Sequence, residues 1–218
     1  MMLEVPVYDM AGQQTGSVEI DPQVLGGRIR PQLLKQAIVI YQANKRQGTA
    51  STRSRGQVVG STRKIYRQKG TGNARMGAVR TNLRRGGGVA FAKGKQVFSR
   101  SFPKKMRRLA RNNAILAKIL SHEVAVVEGL VFEEPKTQKM AAMVASLGAQ
   151  AGCVIALHEL DANVHKSGRN LPKTEVRLVN ELNAYEILRR RKLIFTKPAF
   201  DLLVQDPVGL SPGSASAE

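Results

Sequence analysis

Residues 153–196, CVIALHELDANVHKSGRNLPKTEVRLVNELNAYEILRRRKLIFT, contain three short apolar runs separated by polar segments. The runs are 153–157 (CVIAL), 176–179 (VRLV) and 193–196 (LIFT), and each predicts a strand. Residues 183–191 predict a short helix before the last of them. Short apolar strands that alternate with helices are typical of right-handed βαβ units and a parallel sheet. The stretch therefore predicts an α/β fold.

The same alternation continues on both sides of this stretch. Residues 124–127 (VAVV), with 130–132 (LVF) nearby, predict strand, and residues 136–147 predict a helix. Residues 198–204 predict a last helical turn or two. These elements predict a three-layer-like arrangement, in which helices flank a parallel sheet.

The N-terminal part predicts a small β element followed by a helix. Residues 3–9 and 17–20 predict two short strands, joined through a turn that contains Gly12 and Gly16. Pro31 then begins a predicted helix, whose apolar residues recur at helical spacing until Asn44.

Pro103 begins a second predicted helix, which is both apolar and basic. Its apolar positions are Met106, Leu109, Ala110, Leu116, Ala117 and Leu120, and its basic ones are Lys104, Lys105, Arg107, Arg108, Arg111 and Lys118. A helix of this kind can bury its apolar face on a core and offer its basic face to an anion.

The chain carries 35 Lys and Arg against 16 Asp and Glu, a formal net charge of +19. This charge is unevenly distributed: residues 22–122 hold 24 Lys and Arg and not one Asp or Glu. Uncompensated repulsion on that scale opposes compaction, so the composition predicts a polyanion as partner.

The single Cys153 excludes a disulfide framework. No apolar run approaches the roughly 18–20 residues of a membrane span, and the N-terminus predicts no secretory signal.

Residues 45–101 form the least regular part of the basic stretch. They contain ten glycines and show neither helical nor strand periodicity. Segments of this length without regular structure are either functional or disordered. We therefore predict a globular body of residues 1–44 and 102–206, an extended loop of residues 45–101, and a disordered tail of residues 207–218.

The centre of this loop, RKIYRQKGTGNARMGAVRTNLRRGGGVAFAKGK (63–95), has the composition of an RNA-binding segment. Arginine can hold a phosphate through two hydrogen bonds and stacks on bases, while lysine supplies a mobile charge. Glycine allows the backbone to approach a sugar–phosphate chain closely. Tyr66 and Phe91 offer flat surfaces for bases.

Nucleotide-binding and catalytic motifs are missing from the sequence. Gly94 and Lys95 are followed by Gln96, and position 89 is Val, so no phosphate-binding loop of the G-x-x-x-x-G-K-[ST] type is present. The three histidines, His122, His158 and His165, match no metal-ligand spacing. We expect no enzyme activity, no catalytic residue, no metal and no cofactor.

Three strings in this part of the chain closely resemble the bacterial family of large-subunit ribosomal protein four. They are RQKGTGNAR (67–75), RRGGGVAF (84–91) and PKKMRRLARNNAILAK (103–118). The later strings EEPKTQKMAAMVASLG (133–148) and NLPKTEVRLVNELNAYEILRRRKLIFTKPA (170–199) look like that family's helix–strand units. The resemblance covers essentially residues 3–204.

The resemblance implies a structural protein that binds large-subunit ribosomal RNA (rRNA) and supports subunit assembly. In that family an extended loop penetrates the RNA, and its tip helps to form the narrow part of the nascent-peptide exit tunnel. The implied partners are large-subunit rRNA, neighbouring ribosomal proteins and the nascent peptide, in a cytoplasmic ribosome and without a membrane. By position, the residues implied at the tip are Arg67, Lys69, Gly70, Thr71, Gly72 and Asn73.

The basic and glycine-rich residues that flank the tip are the expected rRNA contacts. They are Lys45, Arg46, Arg53, Arg55, Arg63, Lys64, Tyr66, Arg75, Arg80, Arg84, Arg85, Gly86, Gly87, Gly88, Lys93, Lys95, Arg100, Lys104, Lys105, Arg107, Arg108 and Arg111. Two other classes stay open on composition alone: a DNA-binding architectural protein and a nucleotide-dependent enzyme on the parallel sheet. The first lacks an evident recognition helix, and the second lacks its phosphate motif.

Overall fold

The computed structural model describes residues 2–205. Within this range, residues 2–41 and 101–205 form one compact unit, and residues 42–100 form a second. The predicted tail of residues 207–218 lies outside the described residues.

The first unit is built on one six-stranded sheet. Its strands are β1 (Leu3–Tyr8), β2 (Gln14–Ile20), β3 (Val124–Val127), β4 (Cys153–Leu157), β5 (Thr174–Leu178) and β6 (Lys192–Thr196). They lie in the order β2-β1-β3-β6-β4-β5. Only β1 and β2 pair antiparallel, and all other neighbouring strands are parallel. The predicted α/β fold with a mostly parallel sheet is therefore confirmed.

Helices of the described range connect and flank these strands. They are α1 (Pro31–Lys45), α2 (Lys104–Leu120), α3 (Thr137–Ser146), α4 (Ala162–Arg169), α5 (Ala184–Arg189) and α6 (Lys197–Gln205). Two short 3-10 turns, Pro22–Leu25 and Val179–Glu181, complete the unit.

The sheet separates two hydrophobic cores, as side-chain alternation along a strand requires. In β4, Val154 and Ala156 belong to one core, while Cys153, Ile155 and Leu157 belong to the other. The first core contains buried residues of α1, α2, α5 and α6, and the second contains those of α3 and α4. Both faces of the central strands are covered, which explains why these strands are continuous apolar runs.

Two predicted elements differ from the structure. Residues 130–132 form no strand, although Leu130 and Phe132 are buried in the second core. Their burial explains the apolar sequence without requiring a place in the sheet. The sequence does not predict helix α4. Val164 is the only large apolar side chain that the helix buries, so its sequence lacks the apolar periodicity of a helix.

The predicted basic face of α2 is also only partly correct. Arg111 is 3% exposed, and its guanidinium donates to Asn112 Oδ1 at 3.0 and 3.1 Å. Lys118 is buried as well, and its Nζ lies 2.6 Å from Glu123 Oε2. These two side chains point toward protein, so we withdraw Arg111 from the predicted RNA contacts. Leu120, in contrast, was expected in the core and is 49% exposed.

Candidate nucleic-acid interface

Residues 42–100, here called the basic hairpin, fold back on themselves through contacts between two limbs. Near its base, the Arg100 amide donates to Asn44 Oδ1 at 2.7 Å, and Asn44 Nδ2 donates to the Arg100 carbonyl at 3.2 Å. The Arg46 guanidinium lies 3.9 Å from the centre of the Phe98 ring, a cation–π contact. These pairs bring residues more than fifty positions apart in sequence into register.

Further along, hydrogen bonds join the limbs without forming a continuous ladder. Thr52 and Lys93 exchange two of them, from the Lys93 amide to Thr52 Oγ1 at 2.7 Å and from the Thr52 amide to the Lys93 carbonyl at 2.9 Å. The Val89 amide donates to the Arg53 carbonyl at 2.9 Å. An isolated antiparallel bridge between Lys64 and Ala78 follows. The limbs are therefore residues 42–64 and 78–100, and the tip is residues 65–77.

The tip is stabilised by its own side chains. The Tyr66 hydroxyl donates to the Ala74 carbonyl, and Arg67 Nη2 donates to the Gly70 carbonyl at 2.8 Å. Gly70 and Gly72 adopt φ values of +81° and +69°, a conformation that other residues rarely adopt. The tip residues implied by the family resemblance thus lie together in one turn. Arg67 contributes to that turn through its guanidinium.

The basic hairpin has no hydrophobic core of its own. It holds 15 Lys and Arg and no Asp or Glu, and none of its hydrophobic side chains is buried. Several of its apolar side chains are instead strongly exposed, among them Val59 and Leu83 at 92% and Phe91 at 95%, while Val58, Met76 and Phe98 are only partly buried. Burial of apolar surface, which stabilises ordinary domains, is therefore missing here.

Most of the predicted rRNA contacts lie at the protein surface. Exposed positions are Lys45, Arg46, Arg53, Arg55, Arg63, Lys64, Arg75, Arg84, Arg85, Gly86, Lys93, Lys95, Arg100, Lys104 and Lys105, together with Arg67, Lys69, Gly70, Gly72 and Asn73 at the tip. Partly exposed positions are Tyr66, Thr71, Arg80, Gly87, Arg107 and Arg108. Only Gly88 and Arg111 of the predicted set are buried.

Gly87 and Gly88 lie where the hairpin packs closely against itself. A Cβ at Gly88 would lie 2.1 Å from the Arg55 amide nitrogen, and one at Gly87 would lie 2.0 Å from the Thr81 carbonyl oxygen. These glycines therefore permit close approach between parts of the hairpin, and Gly88 is buried while Gly87 stays partly exposed. Gly86 differs, because a Cβ there would meet nothing within 4 Å.

Between the limbs lies a groove of about 620 Å³. Arg53, Lys93 and Lys95 line it, with hydroxyl groups from Ser51, Thr52 and Ser54. It has no acidic lining residue, since the hairpin contains none. Cations and hydroxyl donors in a concave site are suited to phosphate oxygens.

Sequence reasoning missed the residues that hold the limbs together. Asn44, Thr52 and Phe98 carry no charge and follow no periodic pattern, and their partners lie about forty to fifty-six positions away. No local signal in the sequence identifies such pairs.

The described residues 2–205 contain no group of three or more His, Cys, Asp or Glu side chains that could hold a metal. Their helices include none that is long and apolar enough to cross a membrane.

Comparison with known proteins identifies the family. Residues 18–206 match the family model described as "Ribosomal protein L4/L1 family". The chain belongs to this family. This match confirms the resemblance that the sequences of the tip and of α2 show to the family of large-subunit ribosomal protein four.

Similar proteins match over nearly their full length. The large ribosomal subunit protein uL4 of Dehalococcoides mccartyi is 46% identical over 197 residues, covering 90% of this chain and 94% of the relative. The uL4 of Rhodopirellula baltica is 43% identical and covers 92% and 90%, and that of Symbiobacterium thermophilum is 40% identical and covers 91% and 96%. The chain is a structural ribosomal protein, and the expectation that it is not an enzyme is confirmed.

Proposed function

We propose that this ribosomal protein binds large-subunit rRNA through the basic hairpin and supports assembly of that subunit. Its family and its uL4 relatives make it a structural constituent of the large ribosomal subunit. Charge, exposure and the geometry of the hairpin support RNA contacts by particular side chains.

The observation that carries the proposal is the combination of uncompensated charge and missing core in the hairpin. Fifteen positive side chains lie in 59 residues without one carboxylate. Cross-limb hydrogen bonds hold the backbone, but no buried hydrophobic side chain offsets the mutual repulsion. Phosphate groups would neutralise this charge and release their counterions, and this release is a major source of the affinity of proteins for nucleic acids.

RNA is favoured over duplex DNA by the shape of the binding element. Exposed aromatic and apolar side chains, such as Phe91 and Leu83, lie among basic residues along an irregular hairpin. Such side chains suit unstacked bases of folded RNA. The described part of the hairpin, residues 42–100, contains no helix beyond the end of α1 that could enter a major groove.

The experiment compares two double variants with equal loss of charge. Arg84→Gln with Arg85→Gln removes two exposed charges from the hairpin, while Lys166→Gln with Arg169→Gln removes two charges from α4. Affinity for a large-subunit rRNA fragment is measured at fixed salt, with duplex DNA as competitor. We expect the affinity for the rRNA fragment to fall about tenfold or more for the hairpin variant only, since each lost phosphate contact removes part of the salt-dependent binding free energy. Equal loss in both variants, or equal affinity for DNA, would contradict the proposal.

We further propose that the tip lies beside the nascent peptide in the exit tunnel. Two features of the tip support this: it is closed by its own hydrogen bonds, and it exposes Lys69 and Asn73. A photo-crosslinking amino acid at Asn73, placed in ribosomes with a stalled nascent chain, should label that chain. The same group at Val59, 92% exposed on a limb, serves as control and should label RNA. Labelling of the nascent chain from Val59 but not from Asn73 would refute this assignment.

A further inference from the structure

The carboxyl ends of β3, β4 and β6 open into a groove of about 540 Å³ on the first unit. Val127, Leu157 and Thr196 are the last residues of these strands, and all three are buried in its floor. The carboxyl edge of a parallel sheet is where α/β proteins form binding crevices. This sheet-end groove lies outside the acid-free stretch of residues 22–122, and RNA binding by the hairpin does not use it.

The rim of the sheet-end groove exposes large apolar side chains. Val131 and Leu160 are each 71% exposed and lie among the residues that line the groove. Leu130, beside Val131, is 8% exposed and packs into the core below. Exposed apolar side chains at the rim of a concave floor are typical of a surface that binds a partner.

The charge of the sheet-end groove is opposite to that of the chain. Glu159 and Asp161 line it, and none of its lining residues is Lys or Arg. Asp161 Oδ1 accepts the amides of Asn163 at 2.8 Å and Val164 at 3.4 Å, which fixes this carboxylate at the start of α4. Glu159 lies 3.3 Å from His158 Nε2, and its side chain is 82% exposed. In a chain of net charge +19, a groove free of Lys and Arg is unusual.

Beyond Val131 the surface continues into a smaller cleft of mixed charge. Glu133 and Glu134 lie there with Lys136 and Lys139, and Lys136 Nζ is 3.2 Å from Glu134 Oε2. The acidic character is therefore strongest around Glu159 and Asp161. Phosphate-bearing ligands and RNA are disfavoured there, because carboxylates repel them and no glycine-rich phosphate loop follows these strands.

We propose that the sheet-end groove docks a basic polypeptide segment that carries an apolar side chain. The apolar side chain lies between Val131 and Leu160, and a flanking Lys or Arg of the segment pairs with Glu159 and Asp161. The proposed function supplies the source of the segment: a neighbouring protein bound to the same RNA needs positive charge for the same reason as this chain. The groove itself depends only on the fold of the first unit.

The test uses the full-length chain and a short fluorescent peptide of lysines and leucines, with binding followed by anisotropy. Leu160→Ser removes the exposed apolar side chain, and Glu159→Gln with Asp161→Asn removes the charge while Asn keeps the helix cap. The matched controls are Leu120→Ser, at an exposed leucine of α2, and Glu4→Gln with Glu19→Gln, at exposed positions of β1 and β2. We expect saturable binding that weakens about 5- to 10-fold in both groove variants and is unchanged in the controls.

Several outcomes would overturn the proposal. These are absence of saturable binding up to about 1 mM peptide, equal loss in the control variants, and unchanged affinity when the leucines of the peptide are replaced by serine. Self-association of the chain that is lost with Leu160→Ser, without peptide binding, would assign the groove to a second copy instead. Affinity for rRNA is measured on the same variants and should not change, so failure here leaves the RNA-binding proposal intact.

Discussion

Substitution of Gly88 by alanine should separate the limbs of the basic hairpin without disturbing the first unit. The new Cβ would lie 2.1 Å from the Arg55 amide nitrogen and 2.4 Å from its Cα, whereas ordinary contact begins at 3.4 Å. Both atoms belong to backbone, so relief requires the limbs to move apart by about 1.3 Å. Side-chain rotation cannot supply this movement.

The size of the effect follows from the hydrogen bonds next to Gly88. The Val89 amide donates to the Arg53 carbonyl at 2.9 Å and joins the two limbs, whereas the bond from the Gly88 amide to the Arg80 carbonyl lies within one limb. Loss of the cross-limb bond costs about 0.5–1.5 kcal/mol net. A loss of this size makes local opening about 2- to 12-fold more frequent.

The assay combines amide hydrogen exchange, rRNA affinity and thermal unfolding. Gly88→Ala should accelerate exchange at Val89 and lower the affinity for rRNA, while the unfolding temperature stays unchanged because no hydrophobic residue of 42–100 is buried. Gly94→Ala is the matched control, since a Cβ at Gly94 meets nothing within 4 Å. If both variants exchange and bind as the unchanged chain does, the cross-limb contact does not organise the RNA-binding surface.

The remaining predictions concern the first unit. Lys118 Nζ donates to Glu123 Oε2 at 2.6 Å and to the Arg191 carbonyl at 2.8 Å. Lys118→Met removes this shared donor and should lower the free energy of unfolding, measured in urea titrations, by about 1–3 kcal/mol. Unchanged stability would refute a structural role of Lys118. Asp161→Ala should cost about 1 kcal/mol and Asp161→Asn much less, since only Ala removes the cap of α4; equal losses would contradict the cap. Burial raises the pKa of the Cys153 thiol, so alkylation by iodoacetamide at neutral pH should require unfolding, and rapid labelling of the native chain would count against it. Because the pKa of Cys153 is raised, the folded state keeps the thiol proton to a higher pH than the unfolded chain does. The contribution of Cys153 to the free energy of unfolding is therefore complete below the unfolded pKa of 9.0 and falls as the pH rises above it. Free energies of unfolding measured across that pH range should show the decline.

The central strands were predictable because they are buried on both faces. Residues 124–127 and 153–157 are apolar throughout and residues 193–196 are apolar except for Thr196, as expected of strands in a covered parallel sheet. Strand β2 begins at Gln14, earlier than the apolar pattern indicates. Its first residues are exposed, so they carry no apolar pattern, and they belong to the strand because their backbone pairs with β1. Residues 130–132 satisfy the same apolar criterion without joining the sheet, since burial alone does not require a hydrogen-bonded neighbour.

The candidate interface was predictable from charge and glycine content, but its internal geometry was not. Composition predicts RNA contacts at Arg84 and Arg85, and both residues are exposed. It cannot distinguish Gly86, with open space around it, from Gly88, which packs against Arg55. That difference depends on contacts between residues more than thirty positions apart, and a single sequence records no such pairing. Arg111 illustrates the same limit on α2, where position on the helix determines burial.

The salt dependence of rRNA binding tests the central claim most directly, namely that phosphates neutralise the hairpin. With about ten phosphates contacted, the plot of log affinity against log salt concentration should have a slope of about −7 to −9 for the full chain. Replacement of Arg84, Arg85, Lys93 and Lys95 by Gln should make the slope shallower by about 3 to 4. A shallow slope in the unchanged chain, or one that these four replacements leave as it was, would contradict the account.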